Sequence, residues 1–153
     1  MRAINHAITG AIIGLTITNP IALPLAFMSH YALDVIPHHG YDKPPRSFAV
    51  FKIILIVDIL LCIALVAVLG IRHPSYWWLA VLCAFLAATP DLMWVGDFKK
   101  KLIVKSKEDL AKRHAIVRFH FLIQWFERPI GIVVEIAWAL AAAALLGVLL
   151  SYP

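Results

Sequence analysis

Charge is scarce in this chain, and acid is scarcer than base. Of 153 residues, 15% are charged, with 9 Asp and Glu against 14 Lys and Arg, while 62% are hydrophobic. A chain this oily and this short is neither a disordered solvating segment nor a multi-domain soluble protein. Cysteine is nearly absent: Cys62 and Cys83 both fall inside apolar runs and read as small core residues, which excludes a disulfide scaffold and a Cys-based zinc site. Also missing are Gly-x-Ser-x-Gly, a phosphate-binding glycine loop, Cys-x-x-Cys and any internal repeat, so serine-nucleophile and nucleotide-driven mechanisms lack their signatures. Arg2 and the apolar run behind it have the outline of a cleavable leader, yet His6 and the early Asn19-Pro20 turn suit a retained first helix better.

What the chain does have is long apolar stretches. Phe48 to Gly70 is interrupted only by Lys52 and Asp58, and Pro129 to Leu150 only by Glu135. Each is long enough to cross a bilayer core of ~30 Å. Tyr76 to Ala88 opens on the interfacial aromatics Tyr76, Trp77 and Trp78 and supplies a third crossing, with room to continue through Pro90 toward Trp94. Ala7 to Ile36 is broken by Thr18-Asn19-Pro20 and then by Pro24, and Asn-Pro is a turn signal. Two short helices, roughly Ile4 to Thr18 and Ile21 to Ile36, are therefore expected to form a hairpin. The alternative, one kinked span, would set His6 and His30 on opposite sides of a membrane.

Between Asp91 and Pro129 lies the one extended polar region. Phe98 to Arg113 reads as a basic loop resting on lipid headgroups. From His114 onward, Ile116, Val117, Phe119, Ile123 and Phe126 recur at helical spacing, as in an interfacial amphipathic helix. The expected fold is an all-α integral membrane protein, a single domain over 1–153. About five short helices form a bundle, with a cytoplasmic amphipathic segment before the last. In that arrangement 13 of the 14 Lys and Arg share one side and only Arg72 lies opposite. The positive-inside rule then puts the N-terminus in the cytoplasm, Pro153 outside, and the chain in the inner membrane as a multi-pass protein. The pI near 9.4 follows from topology and attraction to anionic lipid. Membrane lipids are the expected partners, a lipid substrate among them, and nucleic acid is not required.

The same side collects the polar chemistry. His30 and Asp34 are four apart, so on a helix both project from one face and reach a single cation. His6 begins the first helix, His38 and His39 follow the second, Asp91 ends the fourth, and His114 and His120 precede the fifth. His120, Gln124 and Glu127 fall at i, i+4 and i+7, a second stripe of ligand-type residues, with Glu127 open to roles as ligand, general base or partner of Arg118 or Arg128. Imidazole and carboxylate suit a divalent metal, zinc first, with manganese or iron as alternatives. His6, His30, Asp34, Asp91 and His120 are the candidate ligands, and Glu127 and Asp91 the candidate proton carriers. His38, His39, His114, Asp58 and Glu135 are supporting residues. Asp58 and Glu135 each lie six residues inside a span, at a shared depth of roughly 9 Å.

The elements Asn5-His6-Ala7-Ile8-Thr9-Gly10, Ser29-His30-Tyr31-Ala32-Leu33-Asp34 with Pro37, and Thr89-Pro90-Asp91 together resemble the small bacterial and archaeal membrane-bound metal-dependent hydrolases. In that family the Pro-Asp element usually precedes Ser-His-x-x-x-Asp, and here it follows. The resemblance implies a helical membrane fold and a metal site carried by His6, His30, Asp34 and Asp91. The activity expected is hydrolysis at the cytoplasmic headgroup level, by one ion or two close together, on lipid phosphate or phosphodiester groups. The other reading is a non-catalytic metal- or lipid-binding membrane protein, or a small transport or assembly component.

Overall fold

The computed structural model describes residues 1–39, 48–92 and 114–151. The expected basic loop, Phe98 to Arg113, and the extension toward Trp94 lie outside the described residues. Among the described residues there are six α-helices and no strand: α1 (Ala3–Thr16), α2 (Ala22–Val35), α3 (Phe48–Arg72), α4 (Trp77–Ala88), α5 (Ala115–Ile123) and α6 (Gly131–Leu149). A 3-10 turn, Thr89–Asp91, follows α4 without a break.

The Asn-Pro signal makes the turn expected of it. The Asn19 side chain accepts a hydrogen bond from the Ile21 amide at 2.9 Å, an Asx turn that reverses the chain between α1 and α2. The hairpin brings the His6 and His30 rings within 4.0 Å of each other, so the single kinked span is not formed. The N-terminus of α1 has no side-chain cap of its own. Asp58 on α3 supplies one, accepting from the amides of Ala3 at 2.9 Å and Ile4 at 3.1 Å. A carboxylate there also meets the positive end of the helix dipole.

Helix α1 is the hub, packed on α4, α2, α6 and α3. Its Gly10 and Gly14 lie against the backbone of α4: a Cβ on Gly14 would come within 2.6 Å of the Ala80 Cα, and one on Gly10 would collide with the Cys83 carbonyl. Small residues there let two helix backbones approach closely. The core they seal is built from Ala7, Ala11, Leu65, Leu69, Ala80, Ala84 and Leu146, and beside it Ala22, Ala26, Leu79, Cys83 and Ala87.

The outer surface is apolar. Ile53, Ile56, Leu60, Ile63 and Ile71 of α3 are exposed, as are Val133, Ile136 and Leu140 of α6. Lys52–Arg72 and Gly131–Leu149 are long and apolar enough to cross a membrane, yet only 17% of each is buried. A core helix of a soluble protein hides its apolar side chains, whereas these present them. Helices α1, α2 and α4 have 14, 14 and 12 residues. At ~1.5 Å per residue they are each roughly 20 Å long, short of a bilayer core on their own. Helix α5 ends at Ile123, earlier than the apolar spacing through Phe126 implied.

A candidate metal centre

One end of the bundle gathers the start of α1, the end of α2, the 3-10 turn after α4, α5, and the start of α6. Helix α2 delivers His30 and Asp34 one turn apart, both fully buried. At the end of α4, the Ala87 carbonyl accepts a hydrogen bond from His30 Nδ1 at 2.8 Å. Late carbonyls of a helix lack intrahelical partners, and this one fixes the imidazole instead. With the proton on Nδ1, Nε2 carries a lone pair into the cluster.

There Nε2 of His30 lies 3.2 Å from Asp34 Oδ2 and 3.2 Å from His120 Nε2. His120 Nε2 is 2.8 Å from the same carboxylate oxygen. Asp91, on the 3-10 turn, places Oδ1 3.9 Å from His30 Nε2. One donor atom from each of His30, Asp34, Asp91 and His120 falls within 4.8 Å of all the others, so this group can hold a metal ion. Donors bonded to one ion at ~2.1 Å stand roughly 3.0–3.4 Å apart, close to the spacing of the three inner atoms. A lone pair aimed at a carboxylate is repulsive unless a cation, a metal ion or a proton, lies between them.

Gln124, one turn beyond His120, brings its amide to 3.2 Å from both Asp34 Oδ2 and His120 Nε2. The other oxygen of Asp34 faces a different set. Oδ1 lies 3.2 Å from His6 Nε2 and 2.6 Å from the Met1 ammonium. Tyr31 packs edge-on against the rings of His30 and His120, at centroid distances of 5.3 and 5.9 Å.

The charges follow from burial and partners. Burial would raise Asp34, but the polar imidazoles of His120, His30 and His6 close to its oxygens and the nearby ammonium outweigh it and hold the carboxyl well below its ordinary range. It is a carboxylate. Burial pushes His6 down to about 4, leaving a neutral imidazole despite Asp34 beside it. Asp91 goes the other way: burial pushes it up to about 6, against the pull of His30.

Of the expected ligands, His30, Asp34, Asp91 and His120 come together, and His6 joins them across Asp34. Glu127 does not: it is exposed, in the strap beyond α5 that pairs with His38. The i, i+4, i+7 stripe assumed one continuous helix, and that helix stops before Gln124. His114 is exposed at the N-cap of α5. His38 is buried, with Nδ1 donating to the Ile36 carbonyl at 2.8 Å and Nε2 without a hydrogen-bond partner. Its backbone pairs with the strap before α6, to Phe126 and Arg128, and passes so close to Gly131 that no side chain would fit there. His39 reaches the Pro129 carbonyl at 3.4 Å. Glu135 is buried and lies 3.3 Å from the Arg2 Nε, and Asp58 caps α1, so both carboxylates secure the first residues of α1. Gln124 is the residue whose part was hardest to foresee. Its only signal was the four-residue spacing from His120.

Beside the cluster runs an apolar groove of about 580 Å³, lined among others by Phe27, Tyr31, Pro90, Ile116 and Phe119. Three of these directly adjoin cluster residues in sequence: Tyr31 follows His30, Pro90 precedes Asp91, and Phe119 precedes His120. No family model, curated protein or solved structure matches the chain.

Proposed function

We propose that this protein is a membrane-embedded, metal-dependent hydrolase that cleaves phosphate esters of lipid headgroups, with its centre at the cytoplasmic interface. One observation carries the reading: His30 and Asp34 from α2, Asp91 from the turn after α4 and His120 from α5 each bring a donor atom within 4.8 Å of all the others. Four separate placements of ligand-type groups, three of them fully buried, are expensive unless a cation rewards them. Zinc fits the nitrogen and oxygen donors, and manganese or iron fits them as well. A divalent ion held there supplies Lewis acidity toward a phosphoryl oxygen and lowers the pKa of a coordinated water toward ~7.

The chain's own groups divide the remaining work. His30, clamped by the Ala87 carbonyl, and His120, braced by Gln124, keep their nitrogens oriented. Asp91 has the longest distance to His30 and a side chain still 24% exposed, so it stands at the open edge. Its carboxylate would hold the ion through one oxygen and would, through the other, accept a proton from water and return it to a leaving alkoxide. The apolar groove against Tyr31, Pro90 and Phe119 suits the hydrocarbon part of a lipid whose headgroup reaches the cluster. Arg118 and Arg128 border the same end and offer charge to phosphate oxygens.

The test uses the full chain in detergent micelles, stripped with chelator and reloaded with zinc or manganese. Phosphatidate and phosphatidylglycerol are supplied in mixed micelles, and released phosphate or glycerol species are measured. Metal-dependent release is expected from the wild type. It should fall at least ~100-fold in His30→Ala and Asp34→Ala, and persist in Ser151→Ala at the far end of α6. A stoichiometric metal with no headgroup release would favour the non-catalytic metal-binding reading.

A further inference from the structure

Beside the cluster lie polar atoms that the protein itself leaves unsatisfied. Among the described residues, every buried side-chain nitrogen or oxygen without a hydrogen-bond partner belongs to Asn5, His6, His38 or Glu135, and none of these residues is more than 3% exposed. Native interiors resolve such groups with ordered water or an ion. Among the described residues only His30, Asp34, Asp91 and His120 group as metal ligands, which leaves water for the others. Contacts join these residues in a line. Arg2, whose side chain is 32% exposed, places Nε 3.3 Å from Glu135 Oε2. Asn5 Nδ2 donates to the Glu135 carbonyl at 3.3 Å, while its Oδ1 has no partner. His6 follows Asn5 on α1, and its Nε2 stands 3.2 Å from Asp34 Oδ1, beside the Met1 ammonium. His38 enters from the strap, its carbonyl lying against Gly131, one turn of α6 before Glu135. About one turn further along both helices the seam is closed: Trp138 donates to the Thr9 hydroxyl at 3.0 Å, and Thr9 donates to the Asn5 carbonyl at 2.8 Å.

We propose that Arg2, Asn5, His6, His38 and Glu135 line a water-filled passage between α1, α6 and the strap, leading from the surface at Arg2 to Asp34, and that the water consumed at the metal centre enters by it. The apolar groove of Phe27, Tyr31, Pro90 and Phe119 is built from α2, the 3-10 turn and α5, whereas the polar lining comes from α1, α6 and the strap. Hydrocarbon and water then reach the centre by separate routes, so a bound lipid does not bar its own nucleophile. The supply role rests on the hydrolase reading; the hydration of the passage does not.

The experiment exposes the metal-loaded full chain in detergent to synchrotron X-ray pulses, which split water into hydroxyl radicals where it sits. Oxidised side chains are mapped by mass spectrometry, each rate divided by the intrinsic reactivity of its residue type. His6 and His38 should be oxidised at least ~10-fold faster than Leu69 and Leu79, which are as deeply buried but lie in the apolar core. Equal rates in wild type overturn the passage. Asn5→Leu, which sets an apolar side chain of similar size in the line, should abolish the His6 signal and lower headgroup release about 10-fold at unchanged metal content. Asn5→Ser, which keeps a hydroxyl and leaves room, should retain the signal. Persistent His6 oxidation in metal-loaded Asn5→Leu overturns the route past Asn5, and lost oxidation with undiminished release overturns its part in supply. Should Asn5→Leu lose its metal, wild type and Asn5→Ser still decide the passage, and loss of the signal in Asn5→Ser counts against it. Oxidised His6 and His38 in a wild type that releases no headgroup would sustain the passage and sink the hydrolase. Release with both histidines silent would do the reverse.

Discussion

Asp91 is the residue at which stability and binding pull in opposite directions. Burial raises its carboxyl from 3.8 to about 6, so in the metal-free protein the stabilising protonated form is fully present below 3.8 and is lost as pH rises through about 6. At pH 7 the metal-free protein therefore holds a buried ionised carboxylate, at a cost of about 1–2 kcal/mol once its partial exposure is allowed for. Asp91→Asn should raise the thermal midpoint of the metal-free protein by a few degrees at pH 7 and leave it unchanged at pH 4, measured by differential scanning fluorimetry in detergent. An equal shift at both pH values would show that charge is not the cause. Metal binding requires that proton to leave. Apparent affinity in wild type should drop about tenfold per pH unit below pH 6, and the Asn variant should show a flatter dependence in a competitive chelator titration. Gln124 tests the second tier: Gln124→Ala removes the amide that braces Asp34 and His120, and should weaken metal binding about tenfold with the fold intact.

Among the elements, α1 and α4 decide whether the cluster assembles at all. Gly10 and Gly14 bring α1 against the α4 backbone at Cys83 and Ala80, and the same contact sets the height of His6 relative to the end of α4, where Ala87 holds His30. Gly14→Leu would have to displace backbone atoms of Leu79 and Ala80, so it should destabilise the protein by about 3 kcal/mol or more and lower metal content in parallel. Gly147→Leu on α6 has open space around it and serves as the comparison. The helices themselves were legible in the sequence, since apolar runs bounded by Asn-Pro, Pro90 and Pro129 mark α1, α2, α4 and α6 to within about two residues. So was most of the site, because His30 and Asp34 are i, i+4 on one helix and need no tertiary knowledge to share a face. Glu127 lies apart from the cluster for a physical reason: the helical spacing from His120 extends through a helix end at Ile123 that carries no proline or glycine. Asp58 and Glu135 read from the sequence as supporting residues at a shared depth, and only the packing reveals that they serve the start of α1. The orientation of α5 was likewise not foreseeable, since its exposed side carries Ile116, Phe119 and Leu122 while His120 points inward. The helix docks on the cluster by His120 and leaves its large apolar side chains on the outer surface.

At the scale of the molecule, the two ends of the bundle are chemically unlike, and that asymmetry makes the orientation testable. The cluster end holds Arg2, Lys52, Arg118 and Arg128, whereas the far end holds Arg72, whose guanidinium donates to the Leu150 carbonyl at 2.9 Å. Helices α3 and α6 are each long and apolar enough to span, and if they do so they place the two ends on opposite faces of a bilayer. The shorter helices α1, α2 and α4, of 14, 14 and 12 residues, do not by themselves match the thickness of a full bilayer core. If the basic end faces the cytoplasm, a cysteine placed at Ser151 should be labelled by a membrane-impermeant maleimide added to intact cells, with Cys62 and Cys83 replaced by Ala. A cysteine placed at His39 should be labelled only after the cells are permeabilised. The opposite pattern would put the cluster on the outer face, where the anionic inner-leaflet surface no longer accounts for its positive charge. The same two reporters also bear on the hairpin: labelling of His39→Cys and Arg2→Cys under the same condition requires the chain to return to its starting side between them, as the contact of His6 with His30 demands.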